Sequence, residues 1–167
     1  GASPPPVPAP AAVAVFAGDH GVLAEGVTPW PRDVTAQMVE NFLAGGAAIN
    51  VLARQTGARV IVVDVGVASE LDAAPGLVRQ KVRASTGNIA RGPAMSVAEA
   101  RQALDVGAAI AARLVDDGAA CLVTGDMGIG NTTPSAALVA AFAGRGAEEV
   151  TGRGTGIDDP TLSRKVA

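Results

Sequence analysis

Residues able to do chemistry cluster in two glycine-rich stretches and at the ends of apolar runs. The first stretch is Gly125-Asp126-Met127-Gly128-Ile129-Gly130-Asn131-Thr132-Thr133-Pro134. It follows the apolar run Ala119-Ala120-Cys121-Leu122-Val123 and precedes an Ala-rich segment at 135–143. That order predicts a strand ending near Thr124, a turn and a helix. Glycines let a backbone come close to a ligand, and Thr132 or Thr133 is placed to cap the helix, with Pro134 in its first turn. A helix N-terminus offers unpaired N–H groups and partial positive charge, which suit a phosphate. The stretch lacks the Gly-Lys-Ser/Thr of a Walker loop, and its G-x-x-G-x-G spacing misses the dinucleotide fingerprint. Pattern alone therefore leaves two readings, a phosphate cradle or a tight turn capped by threonine.

The second stretch, Gly152-Arg153-Gly154-Thr155-Gly156, feeds a helix that starts at Asp158-Asp159-Pro160 and carries Arg164 and Lys165. Lys165 is either a point charge for a phosphate or a solvated surface lysine. Asp19 and His20 follow the apolar run at 11–17, at what would be the ligand-binding edge of a parallel sheet. The alternative is that Asp19 caps a turn and His20 is satisfied by backbone. Trp30, the only tryptophan, stands between Pro29 and Pro31 and fits either a pocket wall for a flat ligand or a core anchor. Gln37 and Asn41 repeat at i, i+4 beside a stripe of Val34, Met38 and Phe42, so one of them can look into a pocket.

Elements that could position these groups are legible along the chain. Residues 1–10 hold five prolines and read as an extended lead-in, leaving 11–167 as one domain. Strands are predicted at 11–17, 59–65 and 119–124, with a short one at 77–82. Helices are predicted at 34–44, with Asp33 as N-cap, and at 47–55. Another runs from Ser96, in a capping box with Glu99, to about Asp117, with Leu104, Gly107, Ala108, Ala111 and Val115 on one face. Strand–helix–strand units close right-handed. The fold class is α/β with a mostly parallel sheet. Three main strands make an incomplete sheet.

Composition narrows the function. Hydrophobic residues are 49%, charged residues 17% and aromatics 2%, with net charge −3, so neither a basic groove nor stacking platforms for nucleic acid are present. A single Cys and a single His make no ordinary zinc site. Cys121, inside an apolar run, is expected to be a buried, inert thiol. No apolar stretch reaches the ~20 residues of a membrane span. No basic-then-apolar leader is evident, and the cytoplasm is the expected compartment.

In order along the chain, these motifs resemble the nicotinate-nucleotide–dimethylbenzimidazole phosphoribosyltransferase family, which acts in cobalamin nucleotide-loop assembly. The resemblance rests on Ala17-Gly18-Asp19-His20-Gly21-Val22, Glu25-Gly26-Val27, Val34-Thr35-Ala36-Gln37-Met38 and Asp64-Val65-Gly66. It rests further on Gly87-Asn88-Ile89-Ala90-Arg91-Gly92-Pro93-Ala94-Met95 and the two glycine-rich stretches. It implies a Rossmann-like three-layer α/β/α fold with a mostly parallel sheet, and transfer of phosphoribose from nicotinate mononucleotide to 5,6-dimethylbenzimidazole, without metal or cofactor, by a homodimer. It also implies that Gly128, Ile129, Gly130, Asn131 and Thr132 hold the phosphate, with Lys165 as its cation. Gly154, Thr155 and Gly156 border the nicotinate, and the stretch 28–38, including Trp30, Gln37 and Met38, lines the dimethylbenzimidazole pocket.

Two departures qualify the likeness. Asp126 stands where the family has Glu, one CH₂ longer, and is expected to act as an auxiliary acid/base group. The family's principal base, a Glu in a C-terminal glycine-rich motif, is not among these residues, nor is an N-terminal helical segment. The expectation is substrate binding with weak or no turnover. A non-catalytic nucleotide- or phosphate-binding module is the reading from another class.

Overall fold

A computed structural model describes residues 8–167. The predicted proline-rich lead-in lies outside the described residues up to position 7. Its last member, Pro10, accepts from the N–H groups of Ala120 and Cys121 at 2.8 and 3.3 Å.

Strand β1 (Ala11–Gly18) is central because its apolar run has no polar face to give to water. Ala12, Val13, Ala14 and Val15 are each no more than 5% exposed. It pairs in parallel with β2 (Arg59–Gly66) on one side and, later in the chain, with β4 (Cys121–Met127) on the other. The short β3 (Leu77–Arg79) adds outside β2, giving the order β3-β2-β1-β4. The predicted strand at 77–82 is cut short at Arg79. Beyond it isolated bonds remain, from Gln80, Val82 and Ser85 N–H to the β2 carbonyls of Asp64, Val65 and Gly66.

Helices cover both faces, as the three-layer expectation requires. On one face α1 (Val34–Leu43) sets Val39 against Ala17, Val62 and Val67, with Leu71 in the same core. Helix α2 (Ala48–Thr56) completes the β1-to-β2 crossover. On the other face α3 (Val97–Asp116) packs Ile110 and Leu114 on Ala12, Ala14 and Val63. Its predicted capping box is present: Glu99 N–H donates to Ser96 Oγ at 3.2 Å and Ser96 N–H to Glu99 Oε2 at 2.7 Å.

Three sequence expectations are corrected. The face predicted for α3 points outward, with Leu104 74% and Val115 53% exposed. The helix carries two neighbouring apolar stripes, and the one bearing the larger Ile110 and Leu114 meets the sheet. On α1 the buried residues are Thr35 and Val39, one residue on from the predicted Val34 and Met38, while Phe42 of the predicted stripe packs partly buried on the same core; Asp33 sits at the N-cap without a side-chain bond. Cys121 is only half-buried, because β4 has a single strand neighbour among the described residues and its Leu122 and Val123 are exposed.

Parallel pairing brings the C-terminal ends of β1, β2 and β4 to one edge. Asp19 holds that edge together. Its N–H donates to Gly66 O at 2.9 Å, and its Oδ2 accepts from Ala68 N–H at 2.8 Å. The Asp19 carboxylate thus bonds the segment after β2 and not its own turn, and its Oδ1 is buried without a partner among the described residues.

Candidate active site

The first glycine stretch divides differently from its sequence reading. Gly125, Asp126 and Met127 belong to β4, because they pair with Val15, Phe16 and Ala17. Helix α4 (Thr132–Ala143) begins earlier than the Ala-rich segment and has Asn131 at its N-cap, with no side-chain capping bond. Neither threonine caps it. The Thr132 hydroxyl is engaged by Lys165, and the Thr133 hydroxyl is buried without a partner. What remains as turn is Gly128 to Asn131. Gly128 has to be glycine: a Cβ there would lie 2.1 Å from Gly18 O and 2.8 Å from His20 Nε2. Gly130 holds a φ of 86°.

The amides of this turn alternate between used and free. Ile129 N–H donates to Thr35 Oγ1 at 3.0 Å. Asn131 N–H donates to Gly128 O at 2.9 Å and Thr133 N–H to Gly130 O at 3.0 Å. Among the described residues, Gly130 and Thr132 N–H have no protein acceptor. Thr132 opens a 12-residue helix and Gly130 lies just before its N-cap, the end at which the peptide dipoles place partial positive charge.

The second stretch closes on the first. Helix α5 (Ala147–Val150) leads to it, and α6 (Asp159–Val166) follows, capped by Asp158 Oδ1 accepting from Thr161 N–H at 2.9 Å. Helix α6 delivers Lys165, which is 8% exposed. Its Nζ donates to Thr132 Oγ1 at 2.7 Å and to Gly152 O at 2.9 Å. No carboxylate pairs with it among the described residues. Burial holds its pKa below the ordinary 10.5. The surface-lysine reading is thus overturned. Gly154 leaves this ammonium open: a Cβ there would stand 3.0 Å from Thr132 Oγ1 and 3.6 Å from Lys165 Nζ. Arg153, beside it, is tied to Asp159 and to Ile157 O.

These groups wall a cavity of about 140 Å³. Gly128, Ile129, Gly130, Asn131, Thr132, Gly154, Thr155 and Lys165 line it, together with Thr28 and the half-exposed Trp30. Gly156, Gln37 and Met38 do not line it; Gln37 is exposed on α1 and Met38 half-buried.

A second cavity, about 570 Å³, lies across Asn131, which lines both. Its walls are apolar, with Val22, Ile89, Met95 and Leu138 among them, and His20 and Asp126 are its titratable groups. Asp126 Oδ2 accepts from Asn131 Nδ2 at 2.5 Å. No protein group hydrogen-bonds the His20 ring among the described residues, so the backbone-satisfied reading of His20 does not hold. Burial lowers its pKa, partly offset by Asp19 and Asp126. The wall formed by residues 86–95 is held by Glu25, whose Oε1 accepts from Asn88 Nδ2 at 2.6 Å and Arg91 Nε at 2.8 Å. This latch joins two motifs that lie far apart in the sequence.

Among the described residues no group of His, Cys, Asp and Glu could hold a metal, and no helix is long and apolar enough to cross a membrane. Thr35 is the site residue that the sequence reading passed over. A threonine inside a buried helical stripe needs a hydroxyl partner, but nothing local shows that the partner is 94 residues away.

Comparison with known proteins places the chain in a family. A family model described as phosphoribosyltransferase matches residues 1–167. A nicotinate-nucleotide–dimethylbenzimidazole phosphoribosyltransferase of Salinispora tropica is 56% identical over 99% of this chain and 50% of its own length. One from Chloroflexus aurantiacus is 58% identical over 93% of this chain and 44% of its own length. The crystal structure of CobT from Thermus thermophilus superposes with TM-score 0.90 at 55% identity, covering 92% of this chain and 46% of that one. The chain spans about half the length of the curated relatives it matches. With a matching family model over its whole length and an order of motifs that folds into one two-loop site, this chain belongs to the nicotinate-nucleotide–dimethylbenzimidazole phosphoribosyltransferase family.

Proposed function

We propose that residues 11–167 form the nucleotide-holding domain of an enzyme that moves phosphoribose from nicotinate mononucleotide to 5,6-dimethylbenzimidazole. The observation that carries this reading is Lys165, a buried ammonium with no carboxylate, beside the two unpartnered N–H groups of Gly130 and Thr132. A buried cation needs an anion, and a phosphate monoester supplies both charge and acceptor oxygens. Ile129, Asn131 and the 154–155 backbone wall the same cradle, and Trp30 and Thr28 offer a face for an aromatic ring.

The chemistry that follows is displacement at C1′. A nitrogen of the benzimidazole forms the new C1′–N bond, and the bond to nicotinate breaks. Nicotinate leaves with the electron pair, which neutralises its pyridinium nitrogen. The acceptor gives up its N–H proton. Neither oxidant nor metal is needed, so the protein's work is to position the two rings and receive that proton. Asp126 is the auxiliary proton acceptor in this scheme, held by Asn131 at the junction of the two cavities. Gln37 and Met38, on the helix that carries Thr35, serve the base from outside the described walls of the nucleotide cavity. The active form is a homodimer in the cytoplasm.

Calorimetric titration with nicotinate mononucleotide and with dimethylbenzimidazole tests the reading. Binding of both ligands supports it. Nucleotide binding with indifference to the benzimidazole favours a non-catalytic phosphate-binding module. No nucleotide binding contradicts both.

A further inference from the structure

We infer that Thr35 is a positioning residue for the phosphate cradle: its hydroxyl occupies the Ile129 amide and so keeps the Gly130 and Thr132 amides among the turn's free donors. The inference rests on the nucleotide reading above. Thr35 is fully buried in the first turn of α1, and its Oγ1 accepts from Ile129 N–H at 3.0 Å. This contact ties α1, which follows the Trp30 wall, to the turn after β4. Without it the part-buried Ile129 N–H loses its protein acceptor, and the turn is free to rotate toward another. Rotation of one peptide re-aims its neighbours. The Gly130 N–H moves directly, and Thr132 moves with it, taking along the hydroxyl that holds Lys165 Nζ at 2.7 Å. Thr35 touches none of the cavity, so it acts on the ligand only through the turn.

The test compares nicotinate mononucleotide with nicotinate riboside, which lacks the phosphate. The affinity ratio of the two reports the cradle alone. Thr35→Val keeps the side-chain shape and removes the acceptor, and it is expected to shrink that ratio roughly tenfold, the scale of one lost hydrogen bond. Thr35→Ser restores the hydroxyl and is expected to stay within about twofold of the parent ratio. Equal weakening of both ligands by Thr35→Val, with the ratio unchanged, overturns the inference and leaves Thr35 as packing only. A parent chain that does not distinguish the two ligands refutes the phosphate reading itself. A second measurement needs no variant. On adding inorganic phosphate to the parent chain, the Gly130 and Thr132 amide resonances are expected to move while Ile129 stays. A dominant shift at Ile129 overturns the inference.

Discussion

Replacing Lys165 by methionine separates its two roles, ligand cation and buried charge. Its ammonium sits 2.7 Å from Thr132 Oγ1 and 2.9 Å from Gly152 O, with 8% of the residue exposed. Two of its three donors are used, and the third is free for a phosphate oxygen. At about 4 Å and an effective dielectric near 20, one unit charge pair contributes roughly 4 kcal/mol before desolvation of the phosphate is subtracted. Charge-assisted hydrogen bonds retain about 1.5–3 kcal/mol after that subtraction. Lys165→Met is therefore expected to weaken nicotinate mononucleotide by about 2–3 kcal/mol, roughly 30- to 150-fold in Kd. Nicotinate riboside, having no phosphate, is expected to change by less than about threefold. Fold stability follows another course. The substitution removes a desolvated charge but strips the Thr132 hydroxyl and Gly152 carbonyl of their donor, and these effects oppose each other. Urea denaturation should show a net change within about 1 kcal/mol. Calorimetry on both ligands and denaturation of both proteins give the comparison. If the methionine variant binds the mononucleotide as tightly as the parent, the phosphate is not at Lys165 and the reasoning fails.

Three further outcomes follow from the same geometry. Gly128→Ala drives a Cβ into the Gly18 carbonyl and should cost about 2–3 kcal/mol in urea denaturation, whereas Gly107→Ala on α3, with open space around it, should stabilise by roughly 0.5–1 kcal/mol. Burial disfavours the charged form of Lys165, so its folded pKa lies below that of the unfolded chain. The penalty is present in full below the folded pKa and is relieved as pH rises toward 10.5, so over that window stability should gain from this group while mononucleotide affinity falls. A flat affinity profile across that window, measured against nicotinate riboside, argues against a charged lysine at the phosphate. Trp30, half-exposed on the cavity wall, should have its fluorescence quenched by the mononucleotide; Trp30→Ala should lose about 1 kcal/mol of ring stacking without shifting the phosphate-dependent ratio.

Some of this site is legible in the sequence for simple physical reasons. A continuous apolar run such as 11–17 has one stable home, a strand buried on both faces, so β1 and the edge at which it ends can be read directly. The capping box at Ser96 and Glu99 is equally local. The two glycine stretches are visible as loops before helices, but their meeting through Lys165 and Thr132, 33 residues apart, depends on how α6 returns to the turn. Where two local solutions exist, the sheet decides. Helix α3 carries two apolar stripes, and only contact with Ala12 and Val63 selects Ile110 and Leu114. The reach of β4 to Met127 is set by its partner β1, since Gly125 and Asp126 are poor strand formers by themselves. The cavity lined by His20, Met95 and Asp126 joins three segments that no spacing rule connects.

The central claim is that the two glycine loops and Lys165 form one phosphate site with an aromatic wall beside it. Its most direct test is a crystal structure of this chain with nicotinate mononucleotide bound. The phosphate should lie within hydrogen-bond reach of Lys165 Nζ and the Gly130 and Thr132 N–H groups, with the nicotinate ring toward Trp30. A nucleotide seated instead in the His20–Asp126 cavity, with Lys165 still bonded only to Thr132 and Gly152, would contradict the account.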